Sequence, residues 1–121
     1  MEKRKLGNFG EDKAAQFLKR KGYRILERNF SCRMGEIDII AQKKECIVFV
    51  EVKLRKNSDF AYAKEFVTQS KQQRIINSAM LWLSNKDCDL QARFDVIEIY
   101  APQGEKTFLP KINHIEDAFG L

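Results

Sequence analysis

Apolar positions in this chain concentrate in two short runs, Ile37 to Ala41 and Ile47 to Val52, separated by the polar segment Gln42 to Glu45. Isoleucine and valine dominate both runs, which predicts two strands joined as a hairpin. With Lys44 and Glu45 at the tip, antiparallel register sets Ala41 against Val48, Asp38 against Glu51 and Glu36 against Lys53. Side chains alternate along a strand and paired residues share a face. One face then collects Ile37, Ile39, Val48, Val50 and Val52; the other carries Ile40, Ile47 and Phe49 before turning ionic at Asp38, Glu51, Glu36 and Lys53. A slip of one residue puts Asp38 among the valines, so the pattern itself selects the register.

Helical spacing brackets this hairpin. Asn8 to Gly22 reads as a first helix, with Asn8 as N-cap in capping-box spacing to Glu11, and Gly22 just past the C-terminus. Glu11, Ala14, Ala15 and Leu18 share one face. Two roles suit an acid there: a first-turn carboxylate favoured by the helix dipole, or a site residue. Lys19, Arg20 and Lys21 load the last turn as a solvated end. Tyr23 to Phe30 predicts a strand, and Ser31 to Met34 a loop into the hairpin. Asn57, Ser58 and Asp59 read as a loop. Thr68 to Ser84 is a second helix, with Lys71, Ile75, Ala79 and Leu83 on one face; Lys71 is a snorkelling edge residue or part of a site. Met80, Leu81 and Trp82 make this helix apolar nearly all round, which predicts burial.

After a turn at Asn85 to Asp89, Ala92 to Tyr100 alternates as a strand, with Arg93 and Asp95 placed to form a structural ion pair. Pro102 and Gly104 mark a further turn. Thr107 to Leu109 reads as an edge strand ended by Pro110, and Ile115 to Phe119 as a short closing helix. The sole histidine, His114, has no neighbouring serine or cysteine to activate and is expected in a surface or capping role. The order α-β-β-β-α-β predicts an α/β fold with a central sheet flanked by helices.

Composition narrows the class. At 121 residues the chain is one domain, residues 1–121, with one core. No apolar run approaches the roughly 18 to 20 residues of a membrane span, and no apolar h-region follows the basic N-terminus, so a cytoplasmic protein is expected. Cys32, Cys46 and Cys88 are odd in number and lack C-x-x-C spacing, which reads as reduced thiols. A net charge of +5 suits a polyanionic partner without requiring one.

Chemistry enters at the ionic end of the hairpin. Two carboxylates, Asp38 and Glu51, facing each other across a strand pair need something positive between them, either Lys53 or a divalent cation. Mg²⁺ accepts one or two carboxylates and keeps several waters, and the Val52 backbone carbonyl lies beside the pair. Glu11 is a candidate further ligand or outer-shell hydrogen-bond partner. Phosphodiester hydrolysis uses these parts: an ion to activate water and neutralise phosphate, and a lysine to orient the water or stabilise developing charge. Lys53, Arg55, Lys56, Lys71 and the run Lys3, Arg4, Lys5 offer phosphate contacts.

Asp38 followed by Glu51-x-Lys53 resembles the core of the PD-(D/E)xK nuclease superfamily, with Ile37 standing where a proline is usual. More widely, GNFGEDKAAQFLKRKGY, GEIDIIA, FVEVKLR, RFDVI and HIEDAF resemble the YraN-like family of small bacterial proteins, which is assigned to that superfamily. The resemblance covers nearly the whole chain. It implies a restriction-endonuclease-like fold and a DNA endonuclease, with branched or repair DNA among its substrates and Mg²⁺ or Mn²⁺ as cofactor. It also implies Glu11 as the first-helix acid, Asp38 and Glu51 as metal ligands and Lys53 as the catalytic lysine. Gln69 and Lys71 fall where Holliday-junction-resolving nucleases place a helix glutamine or lysine. A homodimer would suit symmetric or branched DNA. The second expectation is a nucleic-acid-binding module without turnover, and the third an interaction protein in which the charges form only a salt-bridge cluster.

Overall fold

A computed structural model of the chain describes residues 2–56, 67–86 and 89–120, with side chains from Asn8 onward. Helix α1 (Glu2–Arg20) is followed by strands β1 (Arg24–Cys32), β2 (Gly35–Lys43) and β3 (Cys46–Arg55), helix α2 (Gln69–Ser84), and strands β4 (Gln91–Tyr100) and β5 (Lys111–Phe119). The strands form one mixed sheet in the order β1-β2-β3-β4-β5. Only the β3–β4 pair is parallel, and α2 lies in the connection between its two strands. The expected loop at Asn57, Ser58 and Asp59, and Cys88 in the expected turn, lie outside the described residues.

Each face of the sheet is covered by one helix. Ala14, Ala15 and Leu18 of α1 pack on Ile39, Val48, Val50, Ile97 and Ile99. On the opposite face, Ile75, Ile76, Ala79 and Trp82 of α2 pack on Ile40, Ile47, Phe49, Phe94 and Val96. Phe49 is fully buried and meets Trp82 edge-on at 5.9 Å and Phe94 in a stack at 5.5 Å between ring centroids. Among the described residues no helix is long and apolar enough to cross a membrane.

Local chemistry explains the element ends. Gly22 sits at φ 92°, where a Cβ is disfavoured. There its N–H donates to the Lys19 carbonyl while the Tyr23 N–H donates to the Leu18 carbonyl, the Schellman pattern. The start of α1 differs from expectation: the helix begins at Glu2, so Asn8 is an interior residue and no capping box forms with Glu11. A cap-forming side chain sets no boundary when helical hydrogen bonding continues upstream of it. Thr68 does cap α2, its Oγ1 accepting from the Lys71 N–H at 3.2 Å. That helix is not buried all round, since Met80 is 47% exposed. Gly35 lets the β1–β2 turn approach α2, because a Cβ there would lie 3.2 Å from the Arg74 Cβ.

The hairpin has the expected register at its closed end, with Ala41 opposite Val48 and Ile39 opposite Val50. The ladder stops there. Asp38 and Glu51 are not a ladder pair; instead Asp38 Oδ2 accepts the Val52 N–H at 2.8 Å, so a carboxylate takes the place of a backbone carbonyl. Ile37 packs on the α2 face, opposite to Ile39, contrary to simple alternation. On β1, Asn29 adopts φ 55° at the position between the Arg28–Ile39 and Phe30–Ile37 pairs. This irregularity breaks the period of two. Glu36 pairs with Ser31 of β1 and is exposed, so it does not face Lys53.

The C-terminal third departs most. Gly104–Lys106 forms a 3₁₀ turn where Pro102 and Gly104 mark one, but Thr107 to Leu109 is not a strand, and Lys111–Phe119 is a strand in place of the closing helix expected from Ile115. An open edge on β4 outcompetes weak helical spacing, and Asp117 at φ 52° supplies the irregularity that lets β5 follow the shifted register. His114 is not on the surface: its side chain is 3% exposed and Nε2 lies 2.7 Å from Asp95 Oδ2. Asp95, fully buried, also accepts from Arg93 Nε and Nη2 and from the Asp117 N–H. The expected Arg93–Asp95 ion pair is therefore part of a larger cluster holding β5 to β4.

Candidate active site

The splayed end of β2 and β3 gathers the charges singled out in the sequence. Glu51 and Lys53 project from β3 toward the α2 layer, as the alternation after Phe49 requires. Glu51 is 5% exposed, and its Oε2 is 3.4 Å from Lys53 Nζ and closer still to Lys71 Nζ, which descends from the first turn of α2. Asp38 shares a hydrogen bond with Glu51. Asp38, Glu51, Lys53 and Lys71 thus form one cluster, contributed by three elements.

Its electrostatics follow from burial. Desolvation and then the Glu51 charge push the Asp38 carboxyl up to about 8, so at neutral pH Asp38 donates a proton to the Glu51 carboxylate. Burial lowers Lys53, and the neighbouring Lys71 ammonium lowers it further. Burial pulls Lys71 down as well, but its hydrogen bond and charge contact with Glu51 outweigh that and leave it raised. The two lysines are therefore differentiated: Lys71 holds the positive charge, and Lys53 is the more readily deprotonated amine.

Glu11 approaches from the α1 side. Its carboxyl is raised by burial, against hydrogen bonding from Asn29 and the charge of Arg28, whose Nη2 lies 3.5 Å away. Its charge is felt by Asp38. The inward-facing acid of α1 thus borders the cluster without joining its hydrogen bonds. Arg28 also binds Asp12 at 2.7 Å, a contact the sequence reading did not anticipate.

Other expected contributors are more dispersed. Val52 enters through its N–H on Asp38. Lys56 is exposed beyond the end of β3, and Gln69 is exposed at the first position of α2. The side chains of Lys3, Arg4 and Lys5 lie outside the described residues. Arg55 Nε lies 4.0 Å from Glu98 Oε2. Glu98, unnoticed in the sequence, is fully buried beside Lys53 in the parallel register, where Tyr100 and Asn113 donate to it at 3.0 and 2.8 Å. An acid alternating with Phe94 and Val96 was the available signal. A cleft of about 430 Å³ opens beside Lys71, lined by Gly35, Glu36, Thr68, Ser70, Arg74 and Ile75.

Among the described residues no group of three or more His, Cys, Asp or Glu side chains is clustered as a metal cage. Two carboxylates suffice for Mg²⁺, which retains several waters. The donor set fits a hard cation: oxygen ligands, one of them protonated until a competing charge arrives.

Comparison with known sequences places the molecule. The profile of the Uncharacterised protein family UPF0102 matches residues 10–99. The chain belongs to the UPF0102 family. A UPF0102 protein of Caldanaerobacter subterraneus is 47% identical over 120 residues, covering 98% of both chains. One from Geotalea daltonii is 50% identical over 117 residues, covering 96% of this chain and 90% of the relative. A third UPF0102 protein, from Caldicellulosiruptor saccharolyticus, is 46% identical and covered over its full length. The family match spans α1 from Gly10 through β4 to Ile99, and so includes Glu11, Asp38, Glu51, Lys53 and Lys71.

Proposed function

We propose that this UPF0102 protein is a metal-dependent nuclease that hydrolyses phosphodiester bonds in DNA. The observation that carries the reading is the convergence of Asp38, Glu51, Lys53 and Lys71 at one splayed strand end. Burying two acids side by side is costly unless a cation compensates, and sites built for chemistry are where such costs are retained.

Asp38 and Glu51 would hold the Mg²⁺ or Mn²⁺, with the Val52 carbonyl as a third oxygen and Glu11 as a neighbouring acid that biases Asp38. When bound, the ion lowers the pKa of water and neutralises the phosphate. Lys53, lowered by burial and by Lys71, can accept a proton from water at Nζ or donate one to a leaving oxygen. Lys71 keeps its charge and faces the cleft, where it can hold a phosphate oxygen together with Arg74. Arg55, Lys56 and Gln69 extend the contact surface along the backbone of the substrate.

A second reading has its own support. Lys71 already neutralises Glu51, which is what a binding module without turnover would need. The test is cleavage of plasmid and branched DNA with Mg²⁺ or Mn²⁺ by wild type, Asp38→Ala and Lys53→Ala. The nuclease reading expects activity in wild type and a loss of at least 100-fold in each variant. Binding without cleavage favours the module. Cleavage that survives both substitutions refutes the mechanism.

A further inference from the structure

Phe108 and Leu109 are 87% and 77% exposed, whereas Phe49 and Phe94, by contrast, are 0% and 2% exposed. They form the tip of the segment between β4 and β5. That segment is pinned beneath them: the Gly104 N–H donates to the Ala101 carbonyl, the Thr107 N–H to the Gly104 carbonyl, and the Gln103 N–H to Thr107 Oγ1. Leu109 is held at φ 55°, an unfavourable conformation for a residue with a Cβ. An ordered turn, locally strained, thus presents two large apolar side chains to solvent.

Its location ties it to the cluster. β3 and β4 run parallel, so the tip stands beyond the same sheet end toward which Glu51, Lys53 and Arg55 succeed one another. Ala101 hydrogen-bonds the Arg55 carbonyl at 2.7 Å, joining the base of the turn to the end of β3. Val96 lies beside Glu51, and Lys111 opposite Tyr100. At about 3.3 Å per residue, the turn therefore starts about 13 Å from Glu51 along the strands, where β4 ends. That corresponds to about four nucleotide steps of a duplex strand at roughly 3.4 Å each.

We infer that Phe108 and Leu109 form a finger that packs against unpaired bases of nucleic acid, so that the favoured substrate is DNA with a single-stranded or branched region next to a duplex. This rests on the nucleic-acid reading proposed above and adds to it a recognition element outside the charged cluster. Aromatic and aliphatic side chains on a basic rim are the chemistry that holds unstacked bases. The rim is present: exposed Lys106 and Lys111 flank the tip against one acid, Glu105, and Arg55 lies at the base. A second copy of the chain fits less well. A phenylalanine buries about 150 to 250 Å², far short of the roughly 800 Å² per partner of a stable interface, and each copy carries the same net charge of +5.

The test compares wild type with the Phe108→Ala/Leu109→Ala double variant and with Phe108→Trp. Binding is measured by anisotropy on phosphorothioate DNA, as a paired duplex and as the same duplex with a single-stranded tail containing 2-aminopurine. Because both side chains are exposed, the melting temperature should hold. The double variant should lose about 10-fold or more in affinity for the tailed DNA and less than 3-fold for the duplex. Phe108→Trp should retain tailed-DNA affinity and the 2-aminopurine quenching. Wild-type binding that the double substitution leaves unchanged, or weakens equally on both DNAs, overturns the finger alone. Failure of wild type to bind either DNA overturns the nucleic-acid reading with it. A wild-type dimer in sedimentation that the double substitution converts to monomer assigns the tip to self-association and likewise overturns the proposal.

Discussion

Replacing Asp95 by Asn tests whether the C-terminal strand is held by charge or by shape. The carboxylate accepts from His114 Nε2 at 2.7 Å, from Arg93 at 2.8 and 2.9 Å, and from the Asp117 N–H at 2.9 Å, and it is fully buried. Asparagine keeps the volume but has one accepting oxygen, so its amide N–H₂ must face donors. Removing one partner of a buried, hydrogen-bonded ion pair costs about 3 to 5 kcal/mol. The Arg93 side chain is 23% exposed, so water can recover part of its loss, which places the cost at the low end, about 3 kcal/mol. At about 2.1 cal/mol/K of unfolding entropy per residue, that is a fall of about 12 °C in melting temperature for a chain of this size.

The pH dependence sharpens the test. Burial alone would raise Asp95, but the His114 and Arg93 hydrogen bonds outweigh it and leave its carboxyl below the ordinary value of 3.8. A group depressed by folding contributes stability above its unfolded pKa and loses it as pH falls through the folded one. The gap between wild type and Asp95→Asn in urea denaturation should therefore be constant above about pH 4 and narrow below it. A gap under about 1 kcal/mol, or one unchanged down to pH 2, would show that the cluster is held by packing and not by the carboxylate.

Two other outcomes are expected. In the metal-free protein Asp38 is raised from 3.8 to about 8 by burial and by Glu51, so the stability it contributes in acid should be lost as pH rises between those values. Asp38→Asn, which mimics the protonated form, should flatten that decline in thermal denaturation, and parallel wild-type and variant profiles would contradict it. Gly22→Ala should cost about 1 kcal/mol in chemical denaturation because φ is 92°, and a neutral result would mean that the turn re-forms without the left-handed residue.

Which parts of this molecule could be read from the chain follows from which signals were strong. The β2–β3 hairpin was legible because runs rich in Ile and Val stand on both sides of a polar joint, and α2 because its apolar spacing starts beside a capping Thr68. The cluster was legible because Asp38, Glu51 and Lys53 break an otherwise apolar pattern. Three things were hidden. The placement of Ile37 on the face opposite Ile39, across from the positive-φ Asn29, breaks the alternation that a hairpin read from the chain assumes. The further partners of Asp95 and Glu98, His114, Asp117 and Asn113, come from β5, whose pairing is set by an open sheet edge and not by its own weak spacing. Lys71 reaches Glu51 only because a parallel crossover carries α2 over the hairpin mouth.

That last arrangement bears on how the molecule is made. The two acids and Lys53 belong to one hairpin whose contacts are local in sequence, whereas the second amine on Glu51 arrives with a helix some 20 residues downstream. Until that helix docks, Glu51 has only Lys53 beside it, and the charges at the open mouth of the hairpin are incompletely balanced. Completion of the charge balance and completion of the tertiary structure are one event, so a partly folded chain lacks the assembled cluster.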